Sequence, residues 1–151
     1  LGPADEAAWR AMETLHGEGR VAHLGVSNVS LEQLDALLEL AEVAPTFVQN
    51  RCYASKGWDV RVRKRCDEAG VVYQGFSLLT ANRDALDDDA ARAVAERHEV
   101  SVSEVVFAFA RSLGMLPLTG TTDPAHMAAD LRALELALSD DEVAALEKLA
   151  L

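Results

Sequence analysis

The chain has 151 residues and a formal net charge of −11, room for one domain and too much acid for a nucleic-acid or anionic-membrane partner. Its hydrophobic fraction of 50% and charged fraction of 26% are those of a chain that builds a core. No apolar run approaches the ~18 residues of a membrane span, and residues 1–6 have neither the basic flank nor the apolar stretch of a signal peptide.

Taken in order, residues 4–18 predict a helix with Ala8, Ala11, Met12 and Leu15 on one face, ended by Gly17 and Gly19. Residues 21–26 predict a short buried strand. Ser30 and Gln33 form a capping box for a helix with a stripe of Leu31, Leu34, Leu37 and Leu38, broken by Pro45. Residues 47–50 predict a second strand. Asp59 opens a helix striped by Val60, Val62, Cys66 and Ala69 and closed by Gly70, and 71–76 predict a third strand. Residues 78–86 read as an irregular loop. Asp87, Asp88 and Asp89 suit a helix N-terminus, and that helix runs to His98. Ser101 with Glu104 opens a helix through Ser112, residues 115–119 predict a fourth strand, Asp123 with Pro124 starts a helix, and Ser139 with Glu142 caps a last one to Leu149. Short apolar strands alternating with amphipathic helices imply an α/β fold with parallel strands, in a single domain over residues 1–151.

In parallel α/β folds ligands gather at the carboxyl ends of the strands. The residues predicted there are Ser27 and Asn28, then Gln49, then Phe76, Ser77 and Leu79, then Gly120, Thr121 and Thr122. Ser27, Asn28 and Gln49 could read a carboxamide, which both donates and accepts. Phe76 offers a flat apolar face. Residues 120–122 lead into a helix start, where N–H groups and the dipole favour a phosphate. Singly, each of these residues is better explained as a turn or cap residue. Cys52 and Cys66 form no disulfide framework and no metal spacing, and are expected to be reduced thiols of a cytoplasmic protein.

The wording of the segments resembles a known family. Gly19-Arg-Val-Ala-His-Leu-Gly-Val-Ser-Asn28 is similar to the Gly-Lys-Val-x-x-Ile-Gly-Val-Ser-Asn segment of aldo-keto reductases. Val48-Gln49 is similar to their Asn-Gln, Phe76-Ser-Leu-Leu79 to their Tyr-Ser-Pro-Leu, Leu118-Thr-Gly-Thr121 to their Ile-Pro-Lys-Ser, and Leu138-Ser-Asp-Asp-Glu142 to their closing Leu-Ser-x-Glu-Glu. The order and spacing agree over essentially the whole chain.

The resemblance implies the C-terminal half of a (β/α)8 barrel, with four parallel strands, and NAD(P)-dependent interconversion of carbonyls and alcohols. It implies that Ser27, Asn28 and Gln49 hold the nicotinamide carboxamide and that Phe76 stacks under the ring. Ser77 and Leu79 would lie along the pyrophosphate, and Gly120, Thr121 and Thr122 beside the adenosine phosphate. The family's Lys and Arg at that end fall on Gly120 and His126, which leaves the choice between NADH and NADPH open. The family's catalytic Asp, Tyr, Lys and His match no residue here. Tyr53, Tyr73, His16, His23 and His98 lie elsewhere, so no catalytic residue and no metal ligand is assigned.

Two functions compete on this reading. One is the cofactor-binding half of an oxidoreductase acting on a small carbonyl substrate, the isolated chain being inactive. The other is a non-catalytic binding or regulatory module. A parallel sheet is ordinarily covered on both faces and closed at its edges. The expected partner is therefore a missing N-terminal barrel half, which the Leu1 start favours, or a second copy of the chain.

Overall fold

A computed structural model describes residues 1–149. Within them, eight α-helices and four strands alternate along the chain: α1 (Pro3–Gly17), β1 (Gly25–Ser27), α2 (Leu31–Leu40), β2 (Phe47–Arg51), α3 (Val60–Glu68), β3 (Val72–Phe76), α4 (Arg83–Leu86), α5 (Asp89–His98), α6 (Val102–Ser112), β4 (Leu116–Pro117), α7 (Pro124–Arg132) and α8 (Asp140–Glu147). A tight 3-10 segment, Ala54–Asp59, joins β2 to α3. The chain forms two compact units, one of Leu1–Asn50 with Arg61–Tyr73, the other of Arg51–Val60 with the chain from Gln74 onward.

In the first unit β1 and β2 pair in parallel, with Gly25 opposite Phe47, Val26 opposite Val48 and Ser27 opposite Gln49. Gly25 is required by that approach, since a Cβ there would lie 2.9 Å from the Phe47 carbonyl oxygen. The Val72 N–H donates to Thr46 O at 2.9 Å, so the start of β3 continues the parallel run beside β2. Trp9, Leu24 and Leu37 are buried together, with Met12, Val26, Ala41 and Val43 packed against them. Glu13 ties α1 to the segment before β2. Its Oε1 accepts from Trp9 Nε1, Glu42 N and Val43 N at 2.8–3.0 Å, and Arg10 meets Oε2 at 2.8 Å. The Val43 N–H above all holds this carboxyl below the usual carboxylate range.

In the second unit β3 pairs with β4 in parallel, Gln74 opposite Leu116 and Gly75 opposite Pro117. The Cys52 N–H donates to Phe76 O at 3.1 Å, and the Leu118 N–H to Gly75 O at 2.8 Å. The hub is α6, buried on every side from Glu104 to Ala110, a run that suits a helix surrounded by other elements. It packs against α5, α7, α8 and β4. Ser101 and Ser139 cap α6 and α8 through the predicted boxes, and the two box glutamates are themselves buried.

The elements follow the sequence-based expectation in order and type, with the larger differences at three places. The first strand covers Gly25–Ser27 and not 21–26, because Val21 is exposed and pairing with β2 begins only at Gly25. The fourth is two residues long and not five, its pairing with β3 being confined to Leu116 and Pro117. Residues 78–86 contain the helical turn α4. Asp59 lies in the left-handed region at φ 55° and α3 begins directly after it, at Val60, as expected. Among the described residues no helix is long and apolar enough to cross a membrane.

Candidate functional site

The predicted residues gather in two groups, one in each unit. In the first unit β1 ends at Ser27, and Asn28 turns the chain at φ 55°, a left-handed conformation that asparagine tolerates better than most residues. Ser27 Oγ donates to Gln49 O at 2.9 Å, the Asn28 N–H donates to the same oxygen at 2.9 Å, and Asn28 Nδ2 donates to Ser27 Oγ at 3.0 Å. This mesh fixes the side chains of Ser27 and Asn28 on the backbone carbonyl of Gln49 at the tip of the adjacent strand. Ser27 and Asn28 are exposed and Gln49 is half-buried. Behind them, buried Asn50 accepts from Val29 N at 3.0 Å and donates to Val29 O at 2.8 Å, which pins the turn after Asn28.

In the second unit β3 ends at Phe76, and Ser77 turns at φ 56°, repeating the left-handed exit seen after β1. Phe76, Ser77, Leu78, Leu79, Thr80, Phe107, Leu118, Thr119 and Gly120 line a cleft of about 320 Å³. It brings four predicted residues together: Phe76, Ser77, Leu79 and Gly120. An apolar cleft with a flat ring and a few hydroxyls is a usual form of small-molecule site. Thr121, Thr122 and His126 lie outside its lining, around the start of α7.

That helix start carries its own anion. Asp123 caps α7, accepting from Ala125 N at 2.7 Å and His126 N at 3.4 Å, while its own N–H donates to Thr121 Oγ1 at 3.1 Å. The Ala125 N–H chiefly holds the Asp123 carboxyl below its usual range. Two of the N–H groups that the sequence offered to a phosphate are thus engaged by a carboxylate. Among the described residues no group of three or more His, Cys, Asp or Glu is arranged to hold a metal ion.

An aldo/keto reductase family model matches residues 3–151. The chain belongs to the aldo/keto reductase family.

Among curated relatives, it is 26% identical over 161 residues to an NADPH-dependent alpha-keto amide reductase of Saccharomyces cerevisiae, covering 97% of this chain and 49% of that protein. It is 28% identical over 143 residues to a glyoxal reductase of Bacillus subtilis, covering 93% of this chain and 51% of that protein. The chain therefore spans about half the length of the curated relatives it matches. Among solved structures, the aldose reductase of Giardia lamblia superimposes with a TM-score of 0.83 at 28% identity, covering 99% of this chain and 51% of that one. Four parallel strands alternating with helices is accordingly the α/β fold of aldo-keto reductase barrels, as the sequence implied.

Sequence reasoning missed Asn82, placed in a loop taken as irregular. Its buried side chain accepts from Ala54 N at 2.7 Å and donates to Cys52 O at 2.9 Å and Leu78 O at 2.8 Å. One amide thereby ties the chain after β2 to the wall of the Phe76 cleft. The available signal was an Asn three residues after Leu79, on a turn with no other cap. Asn82→Ala should destabilise the protein by about 2 kcal/mol, because it strands a buried N–H and weakens the bonding of two carbonyls. Urea unfolding checks this, and a loss under about 0.5 kcal/mol would show the clamp to be dispensable.

Proposed function

We propose that this chain is the cofactor-holding part of an NAD(P)H-dependent oxidoreductase that interconverts small carbonyls and alcohols. The observation that carries the reading is the strand-end cleft of the second unit, which brings together Phe76, Ser77, Leu79 and Gly120. The residues fit the group. Asn28 presents its Oδ1 to solvent as an acceptor for an amide N–H, and Phe76 presents a half-buried ring for stacking. The cleft hydroxyls of Ser77, Thr80 and Thr119 suit a polar linker. Bound there, a reduced nicotinamide would supply hydride. In the second unit Phe76 would stack on the ring and shield one face of it from water. The S. cerevisiae relative is described as NADPH-dependent, and the choice between the two nucleotides is the finer question.

In this reading the proton donor comes from outside these residues, from an N-terminal barrel half or, failing that, a second copy of the chain. The protein works in the cytoplasm without nucleic acid or membrane. A second reading, a non-catalytic binding module, is favoured by one observation: Asp123 already sits on the N-terminus of α7, where a phosphate was expected. The two readings separate on a direct titration of NADH and NADPH into the chain, followed by protein fluorescence. The expected outcome is saturable binding that the double variant Ser27→Ala/Gln49→Ala weakens about tenfold, the worth of one or two hydrogen bonds. Binding of neither nucleotide would remove the oxidoreductase reading and leave the second.

A further inference from the structure

Three arginines of the second unit, Arg92, Arg97 and Arg132, lie on carboxylates. Arg97 lies on Glu142 at 2.7 Å and Arg132 on Glu104 at 3.1 Å. Arg51 is different. It is the last residue of β2, it is exposed, and among the described residues its partner is a ring: its guanidinium lies 5.4 Å from the centroid of Phe76. Lys56 of the same unit also lies over a ring, that of Tyr53 at 5.1 Å, but Arg51 is the cation whose ring lines the cleft.

The position of that pair is well defined. The Cys52 N–H donates to Phe76 O, so the end of β2 is hydrogen-bonded to the end of β3. Asn82 holds the following carbonyl, that of Cys52, at 2.9 Å. Phe76 also lines the 320 Å³ cleft. Arg51 is not itself part of the cleft lining; it lies beside the cleft, on the ring that lines it. Stacking on an aromatic face restrains a guanidinium while leaving its edge to donate, and that edge matches the two oxygens of a carboxylate.

We propose that Arg51, held on Phe76, is a specificity-determining residue that selects a ligand carrying an oxyanion next to a flat or conjugated group, the chemistry of a 2-oxo carboxylate substrate. This rests on the cleft being the site described under the proposed function. A cofactor phosphate presents the same chemistry, and the experiment separates the two sources.

The test is isothermal titration calorimetry on the 151-residue chain in low-salt buffer, without any need for turnover. The probes are benzoylformate, its neutral amide, inorganic phosphate and NADPH, against wild type, Arg51→Ala and Arg51→Lys. Arg51 is exposed, so both variants should unfold at the wild-type temperature, which shows that they are folded. The expected result is that wild type binds benzoylformate at least about tenfold more tightly than the amide, the scale of one charge-assisted hydrogen-bonded pair. Arg51→Ala should bring the two probes within about twofold of each other, with any change in NADPH affinity smaller than that loss of preference, and Arg51→Lys should fall between. Equal binding of carboxylate and amide by wild type, or a preference that survives Arg51→Ala, overturns the proposal. Weakening of NADPH and phosphate by Arg51→Ala, with benzoylformate unaffected, assigns the guanidinium to the cofactor and overturns the substrate assignment. Carboxylate selectivity in a wild type that ignores NADPH supports Arg51 as an oxyanion reader while removing the cofactor reading.

Discussion

Trp58→Ala should destabilise the protein by about 3–5 kcal/mol, the range for removing a large aromatic side chain from a core. Trp58 is 1% exposed, meets Phe109 of α6 edge-on with centroids 5.1 Å apart, and donates from Nε1 to Leu146 O of α8 at 3.1 Å. One indole thus joins the loop after β2 to two helices of the second unit. Its backbone makes the case stronger. Gly57, Trp58 and Asp59 are consecutive left-handed residues at φ 63°, 54° and 55°, a conformation that costs a non-glycine residue on the order of 1 kcal/mol or more. Burial of the indole is what offsets that cost, so the alanine variant keeps the strain and loses the compensation. Trp58→Phe isolates the polar part: it keeps a ring against Phe109, loses the bond to Leu146, and should lose about 1–2 kcal/mol. Urea unfolding followed by circular dichroism measures both, and Trp9 in the first unit remains as a fluorescence reporter. A Trp58→Ala loss below about 1 kcal/mol would show that the loop, and not the indole, sets the local structure.

The repeating order of strands and helices was legible because the signals are local. Ser30–Gln33, Ser101–Glu104 and Ser139–Glu142 each satisfy their own helix start, with no need of distant residues. Strand ends were less legible because they are set by partners: Val21 has the stronger strand propensity, but pairing with β2 begins only at Gly25. The strand-tip residues were found from the order of the motifs, and their mesh is what the spacing Gly25-Val-Ser-Asn28 builds. Asn82 and Arg51 were not legible. Asn82 acts on carbonyls 4 and 30 residues away, and the ring under Arg51 lies on another strand; no window along the chain contains either arrangement. The cap on α7 shows the limit from the other side. Asp123 with Pro124 correctly signalled a helix start, and the same acid that makes the start also engages the N–H groups expected to serve a phosphate.

The second large effect concerns pH. Glu142, at the start of α8, is 5% exposed and accepts from Ser139 N at 2.9 Å, Arg97 at 2.7 Å and His98 Nε2 at 3.1 Å. The Ser139 N–H acts first, against the opposing effect of burial, and with His98 and Arg97 it brings the carboxyl down to about 2 from an ordinary 4.5. A carboxyl with a depressed value stabilises the fold fully above its unfolded value and ceases to do so as pH falls through the folded one. The stabilisation, about 2–3 kcal/mol after allowance for the solvent-exposed Arg97, is therefore complete above about pH 5 and lost progressively toward pH 2. Glu142→Gln keeps the shape of the side chain but not its charge. It should lower stability by about that amount at pH 7, and its stability should fall less steeply between pH 5 and pH 3 than that of wild type. Glu104, which accepts from Ser101 and Arg132 at the start of α6, remains intact in the variant and gives both proteins a common acid-sensitive background. Only the difference between the two curves belongs to Glu142. Urea midpoints at pH 3, 5 and 7 supply it, and parallel curves would mean that Arg97 and His98 add nothing to the docking of α8 beyond what its cap already provides.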